Sequence, residues 1–360
     1  MLGHDVHVLS CADGQRTCDA VEAGVHVHRR GTVRVRGLQR AVGWPAAWRI
    51  ETALSAYLET RRLGIRLDVI EAPDWGAEGL LFALGRRIPL VTHLHTPLPV
   101  IRRFDGLASD RAVRVAVALE RFTVRRSDVL TAPAPILVDE LRRLGWLAGR
   151  NVEIIPYALD WRRWRGVSPV RDTSPCVLFA GRLEARKAPE DLVEALRLLT
   201  TEIPGVAAVF VGKSSGERHG VTYRASLEAE AGAARCTFVD HVPRQRLVDY
   251  LGAARVVAVP SRFESFSMVA AEAMAAGRPI VVTTTTGIAE LVRKTHAGEV
   301  VPPGDPRALA AALRSFLVSP EAASEAGERG RRAVMEQLDP ERIAALREAA
   351  YRRAIGRRTA

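Results

Sequence analysis

Short apolar runs that end on glycine or a polar residue, with helical patterns between them, recur along this 360-residue chain. That alternation constrains the fold more than any other feature. CVLFAG (176–181), AAVFVGK, CTFVDHV, RVVAVPS and RPIVVTTT read as strands. EDLVEALRLL (190–199), RQRLVDYLGAA and SFSMVAAEAMAAG read as the helices between them. Strands alternating with helices predict a parallel, doubly wound sheet. An earlier series has the same form. LDVIEAP (67–73), PLVTHLH (89–95) and DVLTAP (128–133) are strands, ALERFTVRRS (118–127) and PILVDELRRLG (135–145) are helices, and NVEIIPYALD (151–160) adds a strand and a turn. WRRWRGVSPVRDTSPC, rich in Arg, Pro and Ser, reads as a linker. The fold class is therefore α/β, with two doubly wound domains in tandem. Ligands of such sheets bind at the strand ends, here expected to face a common cleft. Domain limits are placed at 1–165 and 166–338, with a terminal helix over 339–360 that either ends the second domain or crosses back to the first.

Composition narrows the function. The chain is long enough for two large cores, and 48% apolar content argues against long disorder. No uncharged apolar run reaches the length of a membrane span; GLLFALGRRIPLVTHLH comes nearest but is split by Arg86 and Arg87. No basic start followed by an apolar stretch marks a secretory signal. Cys11, Cys18, Cys176 and Cys236 lack the spacing of a metal or redox site, so a reduced, cytoplasmic setting is expected. The net charge of +11 would suit a polyanion, but of the 52 basic residues only Lys187, Lys213 and Lys294 are lysines. So strong a preference for Arg beside abundant Ala reads as codon taste spread over the surface, and no nucleic-acid partner is expected. It also makes the lysines informative.

Two stretches carry chemistry. In PSRFESFSMVAAEAMAAGRPIV (260–281), Glu264 lies between a strand and a helix expected to start near Ser265, with Glu272 eight residues on. Eight helical residues rise about 12 Å and return to within about 80°. Two carboxylates so placed lie toward one side but too far apart for a glycosidase pair. They suit a longer ligand, with a sugar at one end and a ribose at the other. The N–H groups of Ser265 to Met268 would open the helix toward a phosphate. The bland reading, a solvated helix face with two glutamates, stands beside this one. In FAGRLEARKAPEDL (179–192), Arg182 follows the glycine-ended strand and Lys187 lies five residues on. Two cations in one loop suit a diphosphate leaving group; two unrelated surface cations are the alternative.

These motifs resemble the retaining GT-B-fold glycosyltransferases of glycosyltransferase family 4, the glycosyl transferases group 1. FAGRLEARKAPEDLVEAL, FVGK, TFVDHVPRQRLVDYLGAARVVAVPSRFESFSMVAAEAMAAGRPIVV and GIAELV follow in family order, and ERFTVRRSDVLTAPA and VEIIPYALD resemble first-domain segments. The resemblance implies two Rossmann-like domains, the first acceptor-side and the second holding a nucleotide sugar, and transfer of a hexosyl group with retention. Arg182 and Lys187 would grip the diphosphate beyond Gly181. Glu264 would contact the transferred sugar, and Phe266, Ser267 and Met268 the distal phosphate. Glu272 would take the ribose hydroxyls, and the base would lie near Gly212, Lys213 and Val242. His95 matches a histidine facing the reacting sugar, although His93 lies on the same strand. No Asp-x-Asp occurs, so no metal and no other cofactor is expected. The donor would be a UDP- or GDP-sugar, and the acceptor a glycan, a lipid-linked molecule or a small molecule.

Departures from the family pattern are also visible. Ser267 stands where glycine is common, tolerable if φ is negative there, and Thr286 replaces the first of a glycine pair, leaving Gly287 alone. The opening MLGHDVHVLS resembles the end of a first helix and the second strand. The first strand and its glycine-rich loop are thus expected to be missing, through a misplaced start or a truncation. HRRGTVRVRGLQRAVGWPAAWR (28–49) reads either as an edge for peripheral contact with anionic lipid or as surface charge beside packed tryptophans. In EAPDWGAEG (71–79), Glu71 and Asp74 are acceptor-side candidates, with helix capping the alternative for Asp74. A nucleotide-sugar-binding remnant without turnover, a GT-B sugar epimerase and a phosphorylase-like relative remain as alternatives. A dinucleotide oxidoreductase is disfavoured, since no G-x-G-x-x-G follows a strand.

Overall fold

A computed structural model describes residues 3–11, 17–105 and 110–359. The chain forms two compact units, one of Met1–Ala132, Val138–Glu153 and Glu348–Ala360, the other of Pro133–Leu137 and Ile154–Arg347.

The first unit opens with β1 (His7–Cys11), β2 (Cys18–Glu22) and β3 (Val25–Arg30). Ala23 and Gly24 both take positive φ, 52° and 82°. That is the two-residue turn whose twist matches an antiparallel hairpin, and β2 pairs with β3 on either side of it. β3 pairs on its other edge with β1 in parallel, in the order β1-β3-β2. Helices α1 (Leu38–Val42) and α2 (Trp44–Leu63) follow. A second sheet holds β4 (Ile70–Pro73), β5 (Leu90–His93), β6 (Val129–Ala132) and β7 (Glu153–Ile154) in sequence order. Helices α3 (Leu80–Gly85), α4 (Leu98–Asp105), α5 (Arg111–Arg126) and α6 (Pro135–Arg143) connect those strands.

One ion pair organises the interior of this unit. Arg49 on α2 and Glu120 on α5 are 3% and 0% exposed, and Arg49 Nε donates to Glu120 Oε1 at 2.9 Å. The same carboxylate accepts from the backbone N–H of Gly76 at 3.3 Å and of Leu98 at 3.2 Å. It therefore fixes the loops after β4 and β5 as well as the two helices. The basic stretch 28–49 is in large part neutralised within the unit. Arg29 pairs with Glu22, Arg30 with Asp19 and Glu59, and Arg34 with Glu51. Trp48 lies between Trp44 and Trp75, with ring centroids 6.4 and 5.1 Å apart.

The second unit begins with a correction. WRRWRGVSPVRDTSPC is not a free linker: Trp161–Trp164 forms a 3-10 turn, Trp164 is 2% exposed, and Trp164, Val167 and Val170 enter the core. Strands β8 (Cys176–Ala180), β9 (Ala207–Val211), β12 (Arg235–Val239), β13 (Val256–Val259), β14 (Ile280–Thr283) and β15 (Gly298–Val301) form one parallel sheet, with a short hairpin of β10 (Glu217–Arg218) and β11 (Val221–Thr222) beside it. The order β12-β9-β8-β13-β14-β15 reverses direction between β8 and β13. Alternate residues of the central strands supply two cores. Leu178, Val257, Val259, Ile280 and Val282 face α9 (Arg244–Ala253), α10 (Met268–Ala275) and α11 (Ala289–Thr295). Val177, Phe179, Phe210, Val256 and Val281 face α7 (Pro189–Leu199), α8 (Tyr223–Ala231) and α12 (Pro306–Val318). Helices on both faces make the sheet doubly wound, as expected.

Two further helices close the chain, α13 (Pro320–Gln337) and α14 (Pro340–Thr359). From Glu348 onward α14 clusters with the first unit, where Tyr351 donates to Glu71 at 2.8 Å and Arg358 pairs with Asp128 at 2.7 Å. Among the described residues no helix is long and apolar enough to cross a membrane.

The Arg49–Glu120 pair yields a stability test. Glu120→Ala leaves a buried guanidinium without its counter-charge and should cost about 3–5 kcal/mol in urea unfolding. Replacing both partners by apolar residues of similar volume should recover most of the loss.

Candidate functional site

The reversal of strand order puts the ends of β8 and β13 side by side, and the loops after these strands carry the candidate residues. After β8 the chain passes Gly181 and Arg182. Gly181 N–H donates to Val211 O at 2.9 Å, and Leu183 N–H to Lys213 O at 2.9 Å. Gly212, after β9, approaches so closely that a Cβ there would stand 2.0 Å from Gly181 O. Any side chain at 212 would force these two strand ends apart.

Lys187 and Glu264, separated by 77 residues, are joined by a short hydrogen-bonded ion pair. Arg186 Nη1 lies 3.9 Å from the same carboxylate and donates to Phe263 O at 3.1 Å, while Ser261 Oγ donates to Glu264 Oε2 at 3.3 Å. Burial alone would raise the Glu264 carboxyl. The charges of Lys187 and Arg186, with hydrogen bonds from Lys187 and Ser261, outweigh it and hold the group below the usual range. Arg182 instead pairs with Glu184 at 3.1 Å and leaves its side chain 58% exposed. The two candidate cations of the loop thus differ: Lys187 is locked in place and Arg182 reaches toward solvent.

Glu264 is not on a helix. Its N–H donates to Thr285 O at 3.1 Å, and its carbonyl accepts from Gly287 at 2.9 Å. Helix α10 starts only at Met268, so the helical spacing of the two glutamates does not apply. Ser265, Phe266 and Ser267 form a turn into α10, and no backbone N–H from Ser265 to Val269 has an acceptor among the described residues. Such a helix end suits an anion.

Two of the departures from the family pattern, Ser267 and Thr286, have structural consequences here. Ser267 takes φ +92°, so the negative value that would make a serine readily tolerable there is not met. The residue is 6% exposed, and its Oγ caps α10 by accepting from Ala270 N–H at 3.4 Å. The cap holds a strained serine in a backbone region that favours glycine. Thr286 is 1% exposed and shares a 2.9 Å hydrogen bond with Thr283 Oγ1, which itself donates to Ser261 O at 2.6 Å. Thr285 Oγ1 also donates to Ser261 O, at 3.0 Å. The threonine run therefore braces the loop that carries Glu264. Gly287 is required on its own, since a Cβ there would lie 2.2 Å from Ser265 O.

Glu272 is 4% exposed on α10, and Arg244 at the start of α9 pairs with it through a short hydrogen bond. Burial raises the Glu272 carboxyl, against the pull of Arg244. Val242, half-buried two residues before Arg244, packs against the same core. Arg244 and Arg186 escaped the sequence reading because single arginines do not stand out in so arginine-rich a chain. The run TTTT was the visible signal for the brace.

In the first unit His93 ends β5, is 3% exposed and bonds Thr131 Oγ1 at 2.8 Å. His95 lies just past the strand and is half-buried, with its ring centroid 5.1 Å from that of His93. Of the two acceptor-side candidates, Asp74 needs correction. Asp74 is 0% exposed, so it offers no surface to an acceptor; its Oδ1 accepts from His95 N–H at 2.7 Å and positions that residue. It makes no side-chain helix cap either. Glu71 is exposed, but its Oε2 accepts from Tyr351.

Residues 160–333 match the family model for glycosyl transferases group 1, and residues 1–158 that for the glycosyl transferase 4-like domain. A glycogen synthase of Mycobacterium tuberculosis is 29% identical over 97% of this chain and 86% of its own. A D-inositol 3-phosphate glycosyltransferase of Xylanimonas cellulosilytica is 32% identical over 69% of this chain and 63% of its own. Among solved structures, sucrose-phosphate synthase from Thermosynechococcus elongatus superposes with a TM-score of 0.73 at 23% identity, covering 93% of this chain and 84% of that one. The HepE protein of Anabaena, solved with UDP and glucose, gives 0.69 at 20% identity, covering 91% and 86%.

Two substitutions test this geometry. Ser267→Gly removes a positive-φ strain of about 1–3 kcal/mol and forfeits only a few tenths from the cap; the melting temperature should rise, and Ser267→Val should lower it. Asp74 is held well above the usual carboxyl range, chiefly by burial and then by the charge of Glu120. A carboxyl raised on folding contributes stability that is present below its unfolded value and lost as pH rises through its folded value. Asp74→Asn, which keeps the acceptor to His95 and removes the titration, should match the wild type in acid. It should be the more stable of the two as pH rises, read as urea midpoints across a pH series.

Proposed function

We propose that this chain, which belongs to the glycosyl transferases group 1 family, moves a hexosyl group from a nucleoside-diphosphate sugar to an acceptor hydroxyl with retention of configuration. The observation that carries the reading is the meeting of Lys187 and Glu264 beside a helix end whose N–H groups have no acceptor among the described residues. A cation and a row of N–H donors stabilise a departing diphosphate; a carboxylate kept ionised by its neighbours can hold sugar hydroxyls without taking their protons.

The steps follow from those parts. Glu272 is paired with Arg244, which lies two residues after Val242, and this suits the pair to the nucleoside end; ribose hydroxyls would share the carboxylate that Arg244 now holds. Arg182, exposed and only loosely engaged, closes on the phosphates beside Lys187. The bond from the anomeric carbon to the diphosphate oxygen breaks as the acceptor oxygen forms a new bond on the same face. The diphosphate leaves with the bonding pair and takes the acceptor proton. The backbone N–H of His95, the histidine that the family resemblance assigns to the reacting sugar, is held by Asp74 Oδ1. Transfer proceeds without a metal at the phosphates, because Lys187, Arg182 and the helix end supply the positive field.

UDP is the proposed nucleotide, supported by the UDP named in the HepE structure. A glycan or small-molecule acceptor is favoured over a lipid-linked one at a membrane, because Arg29, Arg30 and Arg34 are each paired with a carboxylate.

Calorimetric titration with UDP and GDP, run beside donor hydrolysis, tests the proposal. UDP should bind and UDP-sugar should turn over. Glu272→Ala should weaken UDP by about tenfold or more, the size of a lost hydrogen bond to a charged group. Lys187→Ala should cut turnover by about 100-fold or more with a smaller effect on affinity. Binding without turnover would identify a nucleotide-binding remnant, and unchanged affinity in Glu272→Ala would refute the ribose role.

A further inference from the structure

A histidine cluster on the β1–β3 pair lies outside all of this machinery. His7 and His26 are register partners on the two parallel strands, and their rings stack with centroids 4.6 Å apart and planes 11° from parallel. Asp5 Oδ1 lies 3.3 Å from His7 Nε2 and 3.5 Å from His26 Nε2. Ligand atoms bound to one tetrahedral zinc ion at about 2.0–2.1 Å stand about 3.3 Å apart. The carboxylate oxygen stands at that spacing from each imidazole nitrogen, and all three atoms lie within 4.8 Å of one another.

The hydrogen bonds behind His7 say which atom is presented. Asp19 can only accept, so His28 Nδ1 donates to Asp19 Oδ1 at 2.7 Å. A neutral His28 then accepts at Nε2 from His7 Nδ1–H, at 3.0 Å. That leaves His7 Nε2 with its lone pair turned toward a carboxylate oxygen. The atom is buried and has no hydrogen-bond partner. Two lone-pair atoms facing each other at 3.3 Å call for a cation between them. A carboxylate–histidine relay behind a ligating imidazole is how metal sites fix the tautomer of their ligands. The neighbouring group of Asp19, His28 and Glu59 is different, because the Arg30 guanidinium already sits on both carboxylates at 2.5 and 2.8 Å.

We propose that Asp5, His7 and His26 bind one divalent transition-metal ion of the zinc class, with water in the fourth position. Two imidazoles and a carboxylate match that class rather than calcium or magnesium. Asp5 and His26 are 74% and 44% exposed, so the ion has a path in. Bound there, it clips β1 to β3, a structural role separate from the transfer chemistry.

The test uses the untagged full-length chain, stripped with a chelator and titrated with Zn2+ by calorimetry and with Co2+ by visible absorption. One equivalent of Zn2+ should bind, and Co2+ should give the intense bands of tetrahedral coordination. His26→Ala at a half-buried position and Asp5→Ala at an exposed one should lower affinity at least 100-fold with an unchanged circular dichroism spectrum. Asp19→Asn, which weakens the relay together with the Arg30 ion pair but touches none of the three ligands, should lower it about 10- to 100-fold. Failure of the wild type to take up one equivalent would show that a proton alone bridges His7 and Asp5 and would overturn the proposal. Equal uptake by wild type, His26→Ala and Asp5→Ala would overturn it as well.

Discussion

The second unit is organised around one contact, the ion pair of Lys187 with Glu264. It ties the loop after β8 to the loop after β13, the two strands between which the sheet changes direction. A parallel sheet leaves a crevice at such a point, but the crevice has no chemistry until charges are fixed around it. Here the lysine keeps the carboxylate ionised, Ser261 and Arg186 complete its shell, and the threonines at 283–286 hold Ser261 in place. The helix end beside it is oriented by Gly287, where the chain crosses too near Ser265 for any side chain. Each of these parts depends on the carboxylate at the centre being anchored.

The central strands of the second unit were legible, because a buried parallel strand reads as continuous apolar residues that stop at a glycine, a proline or a polar residue. The candidate residues Arg182, Lys187, Glu264 and Glu272 were legible through motif spacing. What escaped was contact-specific. WRRWRGVSPVRDTSPC has the composition of a linker, yet Trp164 is buried; a tryptophan among arginines does not announce which face it turns inward. The sign of φ at Ser267 is not readable from the sequence, since the residue type favours the opposite region and only the turn into α10 imposes it. Asp74 read as a surface acid at a strand end, whereas it is sealed in and acts on the backbone of His95.

Charge in the first unit shows a related limit. Counting arginines between 28 and 49 suggests a cationic face, but Arg49 is among the most deeply buried charges, and Arg30 bridges two acids. Planar guanidinium groups with several donors can satisfy a carboxylate in the interior where an ammonium fits less well. In a chain so poor in lysine, arginine serves as core material as well as surface, and formal charge is a weak guide to what the protein meets.

The separation of Lys187 from Glu264 by 77 residues also has a consequence in time. At synthesis rates of about 5–20 residues per second, the lysine leaves the ribosome about 4–15 seconds before its partner. Until β13 arrives, β8 presents an unpaired edge in what becomes the middle of the sheet. The geometry that joins two distant loops at one point therefore sets an interval during synthesis when the nascent chain is open to wrong pairing. A pause in translation between these two positions would lengthen that exposure without altering a single contact of the finished protein.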